Sequence, residues 1–262
     1  MTTSRLGKRV AMLAIVLTFA ARPALAQTAA PEPAEKPPSF GSIFTDLGPD
    51  FLHLVSWQSG AILGVGGAAS LLVHDSDASI TRRASQSLTV DTIFDQGAGI
   101  GNGATQIGAA LAVYGIGRAF HDATTASTGA DLIEAQIVNA ALTASIKVAV
   151  NRERPDGGSY SFPSGHSSAS FATAAVLARH LGWRAGVPAY AVASYVAASR
   201  LPENKHYTSD VIFGAAVGIV AGRATTVGKG RATFALSPMT VHRGAGVWLT
   251  LVGSHSHDGA QG

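Results

Sequence analysis

The sequence predicts an all-α fold, a single bundle of about six core helices. Six apolar segments have the length of helices, and polar residues or Gly and Pro breaks separate them. No long alternation of apolar and polar residues, the pattern of a half-buried strand, runs between them. The segments are residues 51–73, 97–120, 131–150, 168–181, 187–199 and 209–224. They predict a helical domain over residues 41–232.

The first 26 residues predict a cleavable signal peptide. A basic front at Arg5, Lys8 and Arg9 precedes an apolar run that is short for a membrane span. A small-x-small pattern then predicts cleavage after Ala26. We therefore expect export to the periplasm.

Loss of the signal peptide would change the charge of the chain. It removes four of the 19 basic residues and none of the 16 acidic ones, so the remainder carries one net negative charge. The positive charge of the full chain therefore gives no support for a nucleic-acid partner. The absence of cysteine excludes disulfides and thiolate metal sites.

Two further segments flank the helical domain. Residues 27–40 are rich in Pro, Ala and Glu and predict a linker. Residues 233–262 form a C-terminal extension, in which partial alternation predicts a hairpin or an extended tail. We assign no chemistry to either segment.

The apolar segments also raise the possibility of membrane spans. A spanning helix needs about 20 mainly apolar residues, and residues 51–73 and 209–224 come nearest to this. Charged or polar residues interrupt the other segments. We favour a compact periplasmic bundle, with an integral membrane enzyme as the alternative.

The first motif with chemical meaning runs from Lys147 to Pro155. Lys147 and Arg154 lie roughly two helical turns apart at the end of an apolar segment, so both can reach toward one point. A guanidinium matches the oxygens of a phosphate, and an ammonium adds a compact charge. Basic residues are also common at helix ends because they complement the dipole, so this motif alone is weak.

The second motif, SFPSGHSS at residues 161–168, predicts a turn that leads into a helix. Ser164 or Ser167 can cap this helix. The turn presents the free N–H groups at the N-terminus of this helix to an anion. His166 would then lie beside the anion, where it can donate a proton to a leaving oxygen. Taken alone, the motif also fits an ordinary capped helix with an exposed histidine.

The third motif runs from Ser199 to Asp210. Arg200 follows an apolar segment, and His206 and Asp210 lie four residues apart at the start of the next one. A carboxylate bonded to one imidazole nitrogen fixes the tautomer and leaves the other nitrogen free as a nucleophile. A surface His–Asp pair would have the same spacing.

Together the three motifs supply every group that phosphoryl transfer needs. The reaction requires positive charge around the phosphate oxygens, an in-line nucleophile and an acid for the leaving group. Three basic side chains supply the charge, His206 is the candidate nucleophile, and Asp210 orients it. His166 is the candidate acid.

The same residues resemble the signature of the type 2 phosphatidic acid phosphatase (PAP2) superfamily, which includes bacterial class A acid phosphatases and membrane lipid phosphatases. The matching positions are Lys147, Arg154-Pro155, Pro163-Ser164-Gly165-His166, Ser199-Arg200, His206 and Asp210. The resemblance implies a helical bundle like those of acid phosphatases and vanadium haloperoxidases. It also implies that neither a metal nor another cofactor is needed.

The resemblance further implies a role for each matched side chain. It implies a phosphohistidine at His206, proton donation by His166 and orientation of the nucleophile by Asp210. The phosphate-binding groups that it implies are Lys147, Arg154, Ser164, the backbone N–H of Gly165, and Arg200.

The motifs predict recognition of a phosphate group, but they do not indicate which molecule carries it. The substrate is therefore expected to be a phosphorylated small molecule or a lipid phosphate. The short link between Pro155 and Pro163 departs from the pattern of the soluble acid phosphatases, and the sequence of the turn is closer to that of lipid phosphatases. Two alternatives remain: a vanadium-dependent haloperoxidase with the same anion cradle, and a non-catalytic phosphate-binding protein associated with export.

Two other patterns invite a functional interpretation. Asp75 and Asp77 are a weak candidate for a metal pair, and a loop after a helix explains them. The glycine-rich residues 97–104 suggest a nucleotide loop, but no strand precedes them. We assign no site to either pattern.

Overall fold

The computed structural model describes residues 36–227 and, as backbone only, residues 233–241 and 244–252. The predicted signal peptide, most of the predicted linker and the last ten residues lie outside the described part of the chain. Within it the helices are α1 (Phe40–His53), α2 (Trp57–His74), α3 (Asp77–Ser85), α4 (Leu88–Phe94), α5 (Gly97–Gly101), α6 (Gly103–Ala119), α7 (Ala123–Val150), α8 (Gly165–Leu181), α9 (Trp183–Ser199) and α10 (Thr208–Ala224). The predicted all-α class is confirmed for the domain.

An antiparallel hairpin follows the helices. Strand β1 (Thr233–Val241) pairs with β2 (Gly244–Val252), with Thr233 opposite Val252 and Val241 opposite Gly244.

Three predicted helix boundaries are wrong, and side-chain caps explain each of them. The segment 51–73 is split because Ser56 accepts the N–H of Ser59 and begins α2. The segment 97–120 is split because Asn102 accepts the N–H of Ala104 and begins α6. Helix α7 begins eight residues before the predicted start at 131, because Asp122 caps it.

Helices α8 and α10 pack side by side and run parallel. Three glycines of α10 lie four residues apart on the face that meets α8. A Cβ atom there would lie 2.7 Å from the Ser164 carbonyl oxygen at Gly214, 2.1 Å from that of Ser168 at Gly218, and 2.5 Å from that of Ala172 at Gly222. The close approach therefore requires glycine, and it brings the two helix N-termini together.

Helices α7 and α9 run antiparallel to α8. Gln136 of α7 donates a hydrogen bond to the Ala169 carbonyl at 3.1 Å, and the hydroxyls of Thr143 and Ser168 lie 3.0 Å apart. Gly186, near the start of α9, lies against Ala178 near the end of α8. The C-terminal ends of α7 and α9 consequently lie at the same end of the bundle as the N-termini of α8 and α10.

The core is built largely from alanine and branched aliphatic side chains. Its buried members are Ile43, Ala110, Tyr114, Ala130, Leu132, Ile133, Ala135, Val138, Ala172, Val176 and Ala221. Among the described residues, α7 is the helix whose length and mean hydropathy, 1.3, would allow it to cross a bilayer. Only 39% of its apolar window is buried inside the protein.

Candidate active site

The candidate site lies where four helix ends meet. Lys147 belongs to the last turn of α7, and His166 belongs to the first turn of α8. Arg200 directly follows α9, and Asp210 belongs to the first turn of α10. His206 lies in the connection between these two helices, and its N–H faces the carbonyl of Arg200 at 3.3 Å.

The two basic residues of the first motif are held by backbone carbonyls. Lys147 Nζ donates to the Tyr160 carbonyl at 2.6 Å, and Arg154 Nε donates to the Ser159 carbonyl at 2.9 Å. Neither pairs with a carboxylate within residues 36–227. Burial lowers the pKa of Lys147 to about 8, and the charge of Arg154 acts in the same direction. Both charges are therefore available to an anion.

Ser164 begins α8 and connects it to the third motif. Its hydroxyl accepts the N–H of Ser167 at 3.4 Å, which confirms the predicted cap. Its own N–H donates to the carbonyl of Asp210 at 3.0 Å. The next residue, Gly165, lies beside Lys147, since a Cβ there would be 4.0 Å from Lys147 Cε. The N-terminus of α8 thus lies next to the basic side chains.

His166 is surrounded by positive groups. Burial, followed by the neighbouring groups Arg200, His206, Arg154 and Lys147, lowers its pKa to about 4. These four groups belong to the first and third motifs, so both motifs act on the histidine of the second. A free site therefore keeps His166 neutral near pH 7.

His206 and Asp210 are close but are not hydrogen-bonded. His206 Nδ1 lies 3.7 Å from Asp210 Oδ2, and this buried nitrogen has no other partner among the described residues. Catalytic hydrogen bonds are often long before substrate binds. Burial lowers the pKa of His206 in spite of Asp210, which favours the neutral imidazole that a nucleophile needs.

The carboxylate of Asp210 is held by several donors. Its Oδ2 accepts the N–H of Tyr207 at 2.8 Å and the hydroxyl of Ser161. Burial raises the pKa of Asp210, but these donors, His206 and Arg152 outweigh burial and lower it below its ordinary value. Asp210 is therefore ionised beside His206.

Arg200 has a carboxylate partner that the sequence did not predict. Its Nη1 donates to Glu203 Oε1 at 2.6 Å, whereas its buried Nε has no partner in the described part of the chain. Glu203 is thus an internal competitor for the charge that we expect to bind phosphate.

Arg152 and Asp77 adjoin the site and were missed by sequence reasoning. Arg152 Nη1 donates to Asp210 Oδ1 at 2.7 Å, and its Nη2 donates to Asp77 Oδ2 at 2.9 Å. Its guanidinium also lies 4.2 Å from the ring centroid of Tyr207. The sequence signal that could have indicated Arg152 is its place as a third basic residue in the first motif, between Lys147 and Arg154. Asp77 is buried rather than part of an exposed loop, while Asp75 is exposed.

The glycine-rich segment is also close to the site. It forms α5 and the start of α6, and the end of α5 lies against His166 and α9. Its glycines therefore allow close helix packing, and the decision against a nucleotide loop agrees with this helical structure.

Comparison with known proteins finds a family match in the second half of the chain. The model of the PAP2 superfamily matches residues 156–233. The match covers less than a third of the chain, and over those residues the chain resembles the PAP2 superfamily. The matched region contains the second and third motifs, while the first motif precedes it. The resemblance on which the sequence analysis relied is thereby confirmed.

Individual proteins also match parts of the chain. A lipid A 1-phosphatase of Porphyromonas gingivalis is 44% identical over 80 residues, which are 29% of this chain and 18% of that protein. The match thus spans less than a fifth of the relative's length. A transmembrane PAP2-type phosphatidylglycerolphosphate phosphatase from Bacillus subtilis has a similar fold, with a TM-score of 0.53, 21% identity and coverage of 65% of this chain and 93% of that one. The structure of Aquifex aeolicus LpxE gives a TM-score of 0.49 at 21% identity, with coverage of 58% and 94%.

Proposed function

We propose that the protein is a phosphatase that acts on a lipid phosphate through a phosphohistidine at His206. The observation that carries the proposal is the convergence of basic side chains, two helix N-termini and two histidines at one end of the bundle. Each of these groups has a defined task in phosphoryl transfer.

Binding of the phosphate is the first step. Lys147, Arg154 and Arg200 would neutralise its oxygens, and Ser164 with the N–H of Gly165 would add donors from the start of α8. Neither Lys147 nor Arg154 has to leave a carboxylate partner to do so. Arg200 has to share its charge with Glu203.

Transfer to the enzyme follows. His206 Nε2 attacks phosphorus while the bond to the leaving oxygen breaks, and His166 gives its proton to that oxygen. Asp210 holds the Nδ1 proton of His206 and stabilises the charge on the ring. The products of this half-reaction are the dephosphorylated alcohol and phosphohistidine.

Hydrolysis completes the cycle. His166, now neutral, accepts a proton from a water molecule that attacks phosphorus from the side left by the alcohol. The P–N bond breaks, inorganic phosphate forms, and His206 recovers its lone pair. His166 ends protonated while phosphate is bound, and it returns to the neutral form when phosphate leaves, since the free site lowers its pKa.

A lipid is the substrate class that the surface and the relatives favour. Two relatives are named for lipid phosphates. On α2 the side chains of Val65, Leu71 and Leu72 are 72%, 76% and 86% exposed. Exposed apolar patches of this kind mark surfaces that meet membranes or partners. We therefore infer a membrane-associated enzyme, located in the periplasm if the predicted signal peptide is cleaved.

A pair of matched variants tests the mechanism. His206→Asn should abolish phosphate release from phosphatidic acid in detergent micelles, whereas His121→Asn, an exposed residue, should leave it unchanged. Labelled phosphate trapped at alkaline pH should appear on the parent protein and be absent from His206→Asn. Undiminished turnover in His206→Asn would exclude the mechanism.

A substrate panel tests the substrate class. Hydrolysis of phosphatidic acid and other lipid phosphates should exceed that of p-nitrophenyl phosphate in membrane and soluble fractions alike. Vanadate should inhibit, and halide oxidation with vanadate and peroxide would instead favour the haloperoxidase.

A further inference from the structure

Asp77 lies behind the candidate site, on a helix that contributes no signature residue. It is the first residue of α3, and it is only 2% exposed. Its Oδ1 accepts the backbone N–H of Ser209 at 2.9 Å, and its Oδ2 accepts the Ser209 hydroxyl. Asp77 therefore caps the start of α10 from another part of the chain.

Arg152 connects this carboxylate to Asp210. The guanidinium donates through Nη2 to Asp77 and through Nη1 to Asp210 Oδ1, at 2.9 and 2.7 Å. The same Nη1 lies 2.7 Å from the Ser209 hydroxyl. A buried charge is costly unless it is paired and hydrogen-bonded, so each member of the series depends on the next.

The two oxygens of Asp210 have different surroundings. Oδ2 faces His206 Nδ1, Tyr207 N–H and Ser161, whereas Oδ1 is bound by Arg152. The bond to Oδ1 fixes the rotation of the carboxylate about its axis. It thereby keeps Oδ2 directed toward His206.

The guanidinium has room to move if it is released. An apolar cavity of about 330 Å³ borders Arg152 and Ser209, with Leu71, Phe162 and Phe213 among its walls. Without the charge of Asp77, Arg152 can tilt into this space while it keeps a single bond to Asp210. The carboxylate would then lose its fixed direction.

We propose that Asp77 is a positioning residue for phosphoryl transfer, which holds Arg152 and the first turn of α10 so that Asp210 keeps Oδ2 toward His206. The inference rests on the proposed function of His206 as nucleophile. Asp77 itself touches neither the substrate nor the reacting atoms. The carboxylate pair Asp75 and Asp77 thus has one member with a role and one without.

The first test compares Asp77→Asn with the matched control Asp75→Asn. Asparagine keeps an oxygen for Ser209 N–H but loses the charge that holds Arg152. The kcat of Asp77→Asn should fall roughly 10- to 100-fold, since a small misplacement remote from the chemistry has effects of this size. Its KM should stay within about threefold because the phosphate-binding groups are unchanged. Asp75→Asn should match the parent, and a folded Asp77→Asn with parental kcat would overturn the proposal.

A double-mutant cycle shows whether Asp77 acts through Asp210. In an Asp210→Asn background, Asp77→Asn should have little further effect on kcat. Effects that multiply would mean an independent, merely structural role and would overturn the proposal. If Asp77→Asn does not fold, Arg152→Lys, which keeps the charge but loses the fork of donors, must give the same loss of kcat at constant KM.

A measurement without turnover separates this inference from the proposed function. The ¹⁵N shifts of the His206 ring report its tautomer directly. The parent and Asp75→Asn should show a protonated Nδ1, and Asp77→Asn should show a mixture of tautomers. If the parent hydrolyses no phosphate ester, the proposed function fails while the tautomer still decides the positioning role. An unchanged tautomer in Asp77→Asn overturns it.

Discussion

Gly101 controls the distance between α5 and the candidate acid, and its replacement by alanine is a direct test of that contact. A Cβ at this position would lie 2.3 Å from Val196 Cγ1 and 3.2 and 3.3 Å from His166 Cβ and Cδ2. The first distance is far below van der Waals contact, and the other two are shorter than an ordinary contact, so His166 cannot approach further. At least one of α5, Val196 and His166 must therefore move in Gly101→Ala.

The expected magnitude follows from overpacking. Forcing one extra methyl group into a well-packed site typically costs 1–3 kcal/mol, so we expect a loss of about 2 kcal/mol in the free energy of unfolding. Movement of His166 away from the leaving oxygen should lower kcat about tenfold or more. Denaturant unfolding and steady-state kinetics on phosphatidic acid measure the two effects.

The chain offers a control in the same helix. A Cβ at the exposed Gly99 would meet no atom within 4 Å. Gly99→Ala should therefore keep parental kcat and gain up to about 1 kcal/mol, because alanine favours the helix. Val196→Ala removes the atom that blocks Gly101→Ala, so the double variant should be more stable than the sum of the two changes. Equal behaviour of Gly101→Ala and Gly99→Ala would refute the reasoning.

Three other predictions concern the charges of the site. The pKa of His166 is lowered to about 4 in the free protein, so kcat/KM should fall as the pH rises through about 4. In the complex, the dianion of the bound substrate should raise this pKa, so the corresponding fall in kcat should lie at higher pH. Lys147→Met should raise KM and shift the fall in kcat/KM to higher pH, since one positive charge near His166 is lost. Glu203→Gln should lower KM several-fold, because Arg200 no longer shares its charge with a carboxylate; an unchanged KM would show that the ion pair does not compete with substrate.

The sequence predicted the helices of the bundle better than their ends. Length and apolar content identify α7, α8, α9 and α10, and their glycines and alanines are consistent with the close packing that the structure shows. The breaks at Ser56 and Asn102 were missed because a window of apolar residues is insensitive to one polar cap. The short helices α3 and α4 were missed for other reasons: α3 has little apolar content, and α4 is only seven residues long.

The candidate site was predictable where its residues follow a linear pattern. The signature residues meet because each lies at or beside the end of a helix, and parallel and antiparallel packing brings those ends together. Asp77 follows no such pattern, because its role depends on the docking of α3 against the start of α10, 132 residues further along the chain. Arg152 lies inside the first motif, but only the structure shows that it faces Asp210 rather than the phosphate-binding residues.

The electrostatics of the site connect substrate binding to proton delivery. The positive groups that would bind a phosphate are the same groups that keep His166 neutral in the free protein. A phosphate dianion bound among them offsets their positive charge and so raises the pKa of His166. The proposed acid is therefore protonated mainly when substrate is bound. His206 has a different environment, because it lies beside the ionised Asp210. This carboxylate, which Arg152 holds in place, would stabilise the positive charge that forms on the His206 ring during transfer. One cluster of basic residues can therefore serve a neutral nucleophile and a protonated acid in the same reaction.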